Sequence, residues 1–208
     1  MFQFKLVRPF VFAVMIVSLV ASFIAPLSAL ALDTGYHSPS AQAAGPGGDG
    51  NGFEVSPTSA FADDGVFASD VLSGTAATID CMATTRDRQD FFNYGFSVPA
   101  GSTITGIEVR LDAKVDNPVN EKPALCVQLS SDGGATWTAA KSTTPVLTTS
   151  EVTYLLGGAA DVWGRTWTEA SFSNTNFRVR VTSVAYGAFR NFYLDWAAVK
   201  VYYSGSGP

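Results

Sequence analysis

Within a strand expected over 104–115, the chain alternates without interruption from residue 107 to residue 115. Ile107, Val109, Leu111, Ala113 and Val115 fall on one phase, and Glu108, Arg110, Asp112 and Lys114 on the other. A period of two held over that length describes a β-strand with one buried and one wet face, and the 3.6-residue repeat of a helix cannot satisfy it. The pattern recurs in Leu125, Val127 and Leu129, with Cys126 and Gln128 opposite, and in Phe177, Val179 and Val181, with Arg178 and Arg180 opposite. Shorter strands are expected at 76–80, 91–98, 137–140 and 152–155, and a long one at 191–203. Roughly eight to ten half-buried strands separated by turn residues imply an all-β fold, an antiparallel two-sheet β-sandwich of jelly-roll-like form.

The last strand changes phase. Val199, Val201 and Tyr203 alternate with Lys200, whereas Leu194 and Trp196 fall on the opposite phase and leave Asp195 between apolar neighbours. A bulge at Asp195 and Trp196 reconciles the two. Asp195 then reads either as a structural acceptor for a loop amide or an arginine, which is the preferred reading, or as a metal ligand or substrate-facing carboxylate.

Pro9 to Leu32 carries no charge, is preceded by Lys5 and Arg8, and closes on Ala29-Leu30-Ala31 after a break at Pro26. These are the parts of a secretory signal over residues 1–31, with an uncleaved membrane anchor as the competing reading. Residues 32–52 are rich in Gly, Pro, Ser and Ala without apolar periodicity, and are expected to form an extended arm or linker. The sandwich domain is expected over 53–204, with a short tail at 205–208. The formal net charge is −5, and two units more negative once Lys5 and Arg8 are removed. Such a surface repels nucleic acid and anionic lipid, so neither is an expected partner, and no membrane association is expected after signal cleavage.

Cys81 and Cys126 are the two cysteines of the chain. In an exported protein one intramolecular disulfide is the simplest pairing; free thiols or an intermolecular link are the alternatives.

Ser130-Ser131-Asp132-Gly133-Gly134-Ala135-Thr136-Trp137 fits S-x-D-x-G-x-T-W and resembles the Asp box, a β-hairpin motif repeated in sialidase propellers and found singly in other β proteins. Its logic is local: Asp132 accepts turn amides, Gly134 tolerates positive φ, and Trp137 packs back over the turn. One copy cannot build a propeller, and in that family the motif is structural. Farther on, the run from Leu156 to Thr168 with Trp163 and Trp167, the strand Phe177-Arg178-Val179-Arg180, and the endings Leu194-Asp195-Trp196 and Val199-Lys200-Val201-Tyr202-Tyr203 follow the earlier Ile104-Thr105-Gly106-Ile107-Glu108-Val109. In this order they resemble a poorly characterised β-sandwich module of exported bacterial and phage structural proteins. The resemblance implies the fold and no catalytic residues.

Trp163 and Trp167 are candidates for an aromatic platform under a sugar ring, against the plainer reading of core plugs whose indole N–H groups find loop carbonyls. Asp49, Asn51, Asp63, Asp64 and Asp70 lie in glycine-containing loops and are hard oxygen donors suited to a structural Ca²⁺, although the 49–54 spacing lacks a distal bidentate glutamate. No other cofactor is expected. His37 is the single histidine and sits in the arm, which argues against Ser-His-Asp, Cys-His and histidine-zinc chemistry. Glu54, Glu108, Glu121, Glu151 and Glu169 read as strand-face or loop residues, so no enzyme is expected.

The function expected on these grounds is that of a non-catalytic secreted structural or adhesive protein of the cell surface, extracellular matrix or an extracellular filament. Its partner would be a second copy of itself, joined by β-strand addition through the 32–52 arm. The alternative is a carbohydrate-binding module with a cell-surface glycan as partner, which would show as an aromatic strip or a Ca²⁺-tied cleft on one sheet.

Overall fold

The computed structural model describes residues 32–76, 80–119 and 122–205. In chain order the strands are β1 (Leu32–Asp33), β2 (Ala41–Ala44), β3 (Ala68–Ser73), β4 (Thr75–Ala76), β5 (Arg88–Phe92), β6 (Thr103–Val115), β7 (Ala124–Ser130), β8 (Lys141–Ser142), β9 (Val152–Gly158), β10 (Arg178–Tyr186) and β11 (Arg190–Ser204). One sheet has the order β1-β11-β6-β9, with β3 also on β11. The other runs β2-β5-β10-β7-β8, with β4 beside β10. The β4–β10 pair is parallel and the other ladders are antiparallel. The expected jelly-roll-like sandwich is the fold. Among the described residues the only helical turns are two 3₁₀ turns, Pro57–Ala60 and Glu169–Phe172.

The alternating faces decide the core. Ile107, Val109 and Leu111 of β6 and Val199 and Val201 of β11 meet Leu125, Val127 and Leu129 of β7 and Val179 and Val181 of β10, all fully buried. Side chains of this size stabilise by about 1.5–3 kcal/mol each when removed from water, so this interleaved layer supplies most of the drive that joins the sheets. At one end Tyr94, Phe96, Trp167, Phe172 and Phe177 close the sandwich as ring pairs with centroids 5.3 to 5.9 Å apart.

The two outer faces differ. On the six-stranded sheet, Arg180 is buried against Asp90 and under Trp137 of the Asp-box-like hairpin, whose ring centroid lies 3.8 Å from the guanidinium carbon. Cys81 packs on the outward Ala124, Cys126 and Val184. Strand β7 is therefore buried on both sides. The five-stranded sheet keeps a partly exposed outer face.

Strand ends departed from expectation where the backbone turns. The strand expected at 91–98 is β5, ending at Phe92 because Asn93 takes a left-handed φ of 60°. The strand expected at 137–140 begins only at Lys141. Of the 76–80 strand, residues 77–79 lie outside the described residues, as does the signal-like segment 1–31. The bulge expected at Asp195 is present: the β11–β6 register shifts between Leu194 and Trp196.

The segment expected as an extended arm or linker lies along its own sandwich. Strand β1 pairs with β11 and β2 with β5. Between them, the backbone N–H of Thr34 donates to Val201 O (3.1 Å), that of His37 to Val199 O (2.8 Å), and that of Ser40 to Phe92 O (3.2 Å). The sheet edges at β11 and β5 would otherwise expose unpaired backbone groups, which is why an unpatterned sequence can settle there. Deleting residues 32–44 is expected to lower the unfolding free energy by about 3 kcal/mol, taking several backbone hydrogen bonds at roughly 0.5–1.5 kcal/mol each. Urea denaturation measures it, and an unchanged midpoint would show the segment to be a spacer.

Candidate functional site

The outer face of the five-stranded sheet follows from the polar phase of β6. Glu108, Arg110, Asp112 and Lys114 project on that side, and the register sets Lys200, Ala198, Trp196 and Tyr193 of β11 beside them in that order. Glu108 and Lys114 are six residue steps apart along the strand, so the row runs roughly 20 Å.

Aromatic rings and cations interleave along it. The Arg110 guanidinium carbon lies 4.7 Å from the Trp196 ring and 5.9 Å from that of Tyr36; Lys200 Nζ lies 4.3 Å from Tyr36 and 5.5 Å from Tyr202. The Tyr36 and Trp196 rings are 5.8 Å apart. Polar contacts fix the set: Trp196 Nε1 donates to Ser38 Oγ (2.9 Å), Tyr36 Oη donates to Glu108, and Lys200 Nζ lies 3.6 Å from Glu108. Burial, then the hydrogen bond to Glu108, pushes the Tyr36 phenol well above its ordinary value, so Tyr36 remains a donor at neutral pH.

Carboxylates gather mid-row. Arg110 bridges Asp63 and Asp112, at 2.9 Å from each. Buried Asp195 accepts the amides of Asp64 (3.3 Å) and Gly65 (3.0 Å), which ties the 61–66 loop to the bulge. Asp63, Glu151 and Asp195 hold carboxylate oxygens within 4.8 Å of one another, the one group of its kind among the described residues. Desolvation, followed by the hydrogen bond to Asp195 and the charges of Asp195, Asp112 and Asp63, pushes the Glu151 carboxyl up. The cluster is already partly neutralised by Arg110 and the loop amides, so Asp195 acts here as the structural acceptor expected of it.

Beyond the carboxylates the face opens into a cavity of about 590 Å³, lined by Phe67, Ser69, Lys114, Asp116, Thr149 and Tyr193 among others. Phe67 and Tyr193 meet edge to face at 6.2 Å, and Lys114 Nζ lies 3.8 Å from the Phe67 centroid.

The residues singled out from sequence divide differently. Trp163 and Trp167 are 4% and 5% exposed, with their Nε1 groups donating to Ile107 O and Val162 O at 2.9 Å each. A sugar platform needs an accessible ring face, so both are core plugs. Trp163 closes over Gly157, whose φ of 85° and contact with the indole leave no room for a Cβ. The calcium candidates are not brought together. Asp49 spends its carboxylate on the backbone and side chain of Asn51, Asp64 caps Val66, and Asp63 pairs with Arg110. Asp70 is buried, and burial raises its carboxyl to about 8, which makes it a poor cation ligand at neutral pH. His37 Nδ1 lies 3.0 Å from Tyr94 O, a structural contact.

Cys81 and Cys126 form the disulfide, with Cα atoms 5.7 Å apart. The hairpin behaves as its motif implies. Asp132 accepts the N–H of Thr136 (2.9 Å), Ser130 Oγ accepts that of Gly134 (2.9 Å), and Trp137 lies against Gly134. Hydrogen bonds from Thr136, then Ser130, hold the Asp132 carboxyl down to about 2.

Sequence reading missed Tyr36, Phe67, Tyr193, Trp196 and Tyr202 as site residues. The polar phase of β6 already marked the face, and the aromatic residues of β11 could have been set against it once the bulge was placed.

No protein-family model and no curated protein matches the chain. Among the solved structures that match the chain are three carbohydrate-binding modules. One, described as "CBM4 structure and function", has a TM-score of 0.37 and 14% identity over 65% of this chain and 70% of that one. A CBM61 module in complex with β-1,4-galactotriose has 0.39 and 10% over 78% and 90%. A non-crystalline cellulose specific module, CBM28, has 0.33 and 14% over 67% and 76%. Likenesses of this degree carry no function across.

Proposed function

We propose that this chain is a non-catalytic carbohydrate-binding module that receives a glycan strand along the outer face of its five-stranded sheet. The observation that carries the reading is the row of half-buried rings, Tyr202, Tyr36, Trp196, Tyr193 and Phe67, interleaved with fixed cations and carboxylates on one sheet face. Sugar rings present C–H faces that pack on aromatic rings and hydroxyls that exchange hydrogen bonds with charged planar groups; this face offers both over an oligosaccharide's length. Glu108 is committed to Lys200 and Tyr36, Asp63 and Asp112 to Arg110, and Asp195 to loop amides, so none of these four is free to work beside Glu151 as the acid and base pair of a glycosidase.

The disulfide fits an oxidising compartment, and the signal-like segment supports export. Among the described residues no helix is long and apolar enough to cross a membrane. Because Tyr36 belongs to the face, the binding unit begins near residue 32 and not at 53. The structural or adhesive reading takes second place, since the segment it needs as a donor strand already completes its own sheet edges.

Affinity electrophoresis through soluble polysaccharides tests the proposal. At least one polymer should retard the protein, and Trp196→Ala should weaken that binding about 30-fold, the loss of a central aromatic contact of about 2 kcal/mol. Undiminished retardation in Trp196→Ala would remove the face as the binding site.

A further inference from the structure

We infer that the Lys114 end of this face selects a glycan carrying a singly charged anionic group on one of its sugars, a uronate carboxylate or a sulfate ester. The inference rests on the carbohydrate-binding reading and adds the substrate class. Three cations stand on the row. Arg110 is neutralised by Asp63 and Asp112, and Lys200 by Glu108. Lys114 differs. Among the described residues no carboxylate lies within ion-pair distance of it, and what holds its ammonium is the ring of Phe67 at 3.8 Å and that of Tyr193 at 5.7 Å.

Ring faces attract an ammonium through their quadrupoles but leave its positive charge uncancelled and its N–H donors with strong acceptors still to find. Lys114 also lines the open cavity of about 590 Å³, together with Ser69 and Thr149. A neutral sugar hydroxyl could accept from Lys114, but an anionic oxygen adds charge attraction. The same two rings give the sugar carrying that anion apolar surface to pack on.

Asp116 shares the cavity, with its Oδ1 taken by the Asn117 amide at 2.7 Å. One lysine beside one aspartate suits a single negative charge at a defined position and opposes a densely charged polymer. The chain's formal net charge of −5 adds long-range repulsion, so any preference for an acidic glycan has to come from this local contact.

The test uses the full chain and a panel of uronate polymers, polygalacturonate, alginate and glucuronoxylan, each paired with its carboxyl-reduced neutral form and with a sulfated derivative of that neutral form. The wild-type protein should bind at least one acidic polymer about tenfold more tightly than its neutral partner, a preference that falls with salt as a single ion pair does. Lys114→Met should abolish the preference, so that the acidic and neutral partners bind it with equal affinity, and Lys114→Arg should keep it. The carboxylated and sulfated arms identify which anion is read. Equal binding of acidic and neutral partners, or a preference that survives Lys114→Met, overturns the inference. If Trp196→Ala at the same time abolishes neutral binding, the carbohydrate reading stands without it. Failure of every polymer to bind overturns both. Unchanged unfolding midpoints in the Lys114 variants separate the binding effect from any loss of folding.

Discussion

Replacing Arg180 by methionine is expected to cost about 3 to 5 kcal/mol of stability, as happens when one member of a buried ion pair is removed. The guanidinium makes two parallel contacts with Asp90, Nε to Oδ1 at 2.7 Å and Nη2 to Oδ2 at 2.9 Å, and both side chains are nearly inaccessible. Its other face lies against Trp137. Without it, Asp90 keeps its charge under the hairpin and loses both of these hydrogen bonds, with the charge of Arg88 left to act on it. The double variant Asp90→Leu with Arg180→Met should recover most of the loss, because two apolar groups of similar size need no compensation there. Urea denaturation of the single and double variants measures both. A double variant no more stable than Arg180→Met would place the cost in the lost Trp137 stacking and not in the orphaned carboxylate.

Removal of the disulfide by paired Cys81→Ser and Cys126→Ser substitutions is expected to lower stability by about 3 to 4 kcal/mol. The bridge spans a sequence separation of 45 and restricts the unfolded chain accordingly. It also pins the segment around Cys81 over Ala124, Cys126 and Val184, the outward side of β7 and β10. The chemical midpoint with and without reductant should shift by the same amount as the double substitution. A smaller shift in reductant alone would mean that the bond is shielded from it, which mass spectrometry of the trapped thiols would show.

The central sandwich was legible because each of its long strands buries one phase of an alternating pattern. In β6 the phase of Ile107 to Val115 is fully buried, and the polar phase faces out as its spacing dictates. Strands β1, β2 and β3 were not legible. Ala41-Gln42-Ala43-Ala44 and Ala68-Ser69-Asp70 carry small or polar side chains, and they are strands because a neighbouring edge supplies backbone partners, which leaves no mark on local sequence. The outward arginines of β10 were assigned to a wet face, and Arg180 is buried, because a hairpin about 45 residues earlier in the chain folds over it. The candidate site was half legible for a related reason. Its charged row could be read from one strand, but its rings come from the N-terminal segment, the 61–67 loop and both sides of a bulge. The tryptophans that stood out, Trp163 and Trp167, did so because they occur close together in sequence, and their burial was decided by the strands that cross them.

The pairing of Leu32 with Tyr203 puts the first and last described strands side by side with their outer ends together. In mechanical terms that is a zipper and not a shear joint. A load applied between residues 32 and 204 would act on one backbone hydrogen bond at a time, beginning at that end and moving through Thr34 toward His37. Tyr36 lies within that stretch, so the ring row would lose a member before the sandwich itself yielded. A glycan lying across Tyr36 and Trp196 would straddle the seam, and its grip on both sides would act as a clasp that raises the force needed to start the tear.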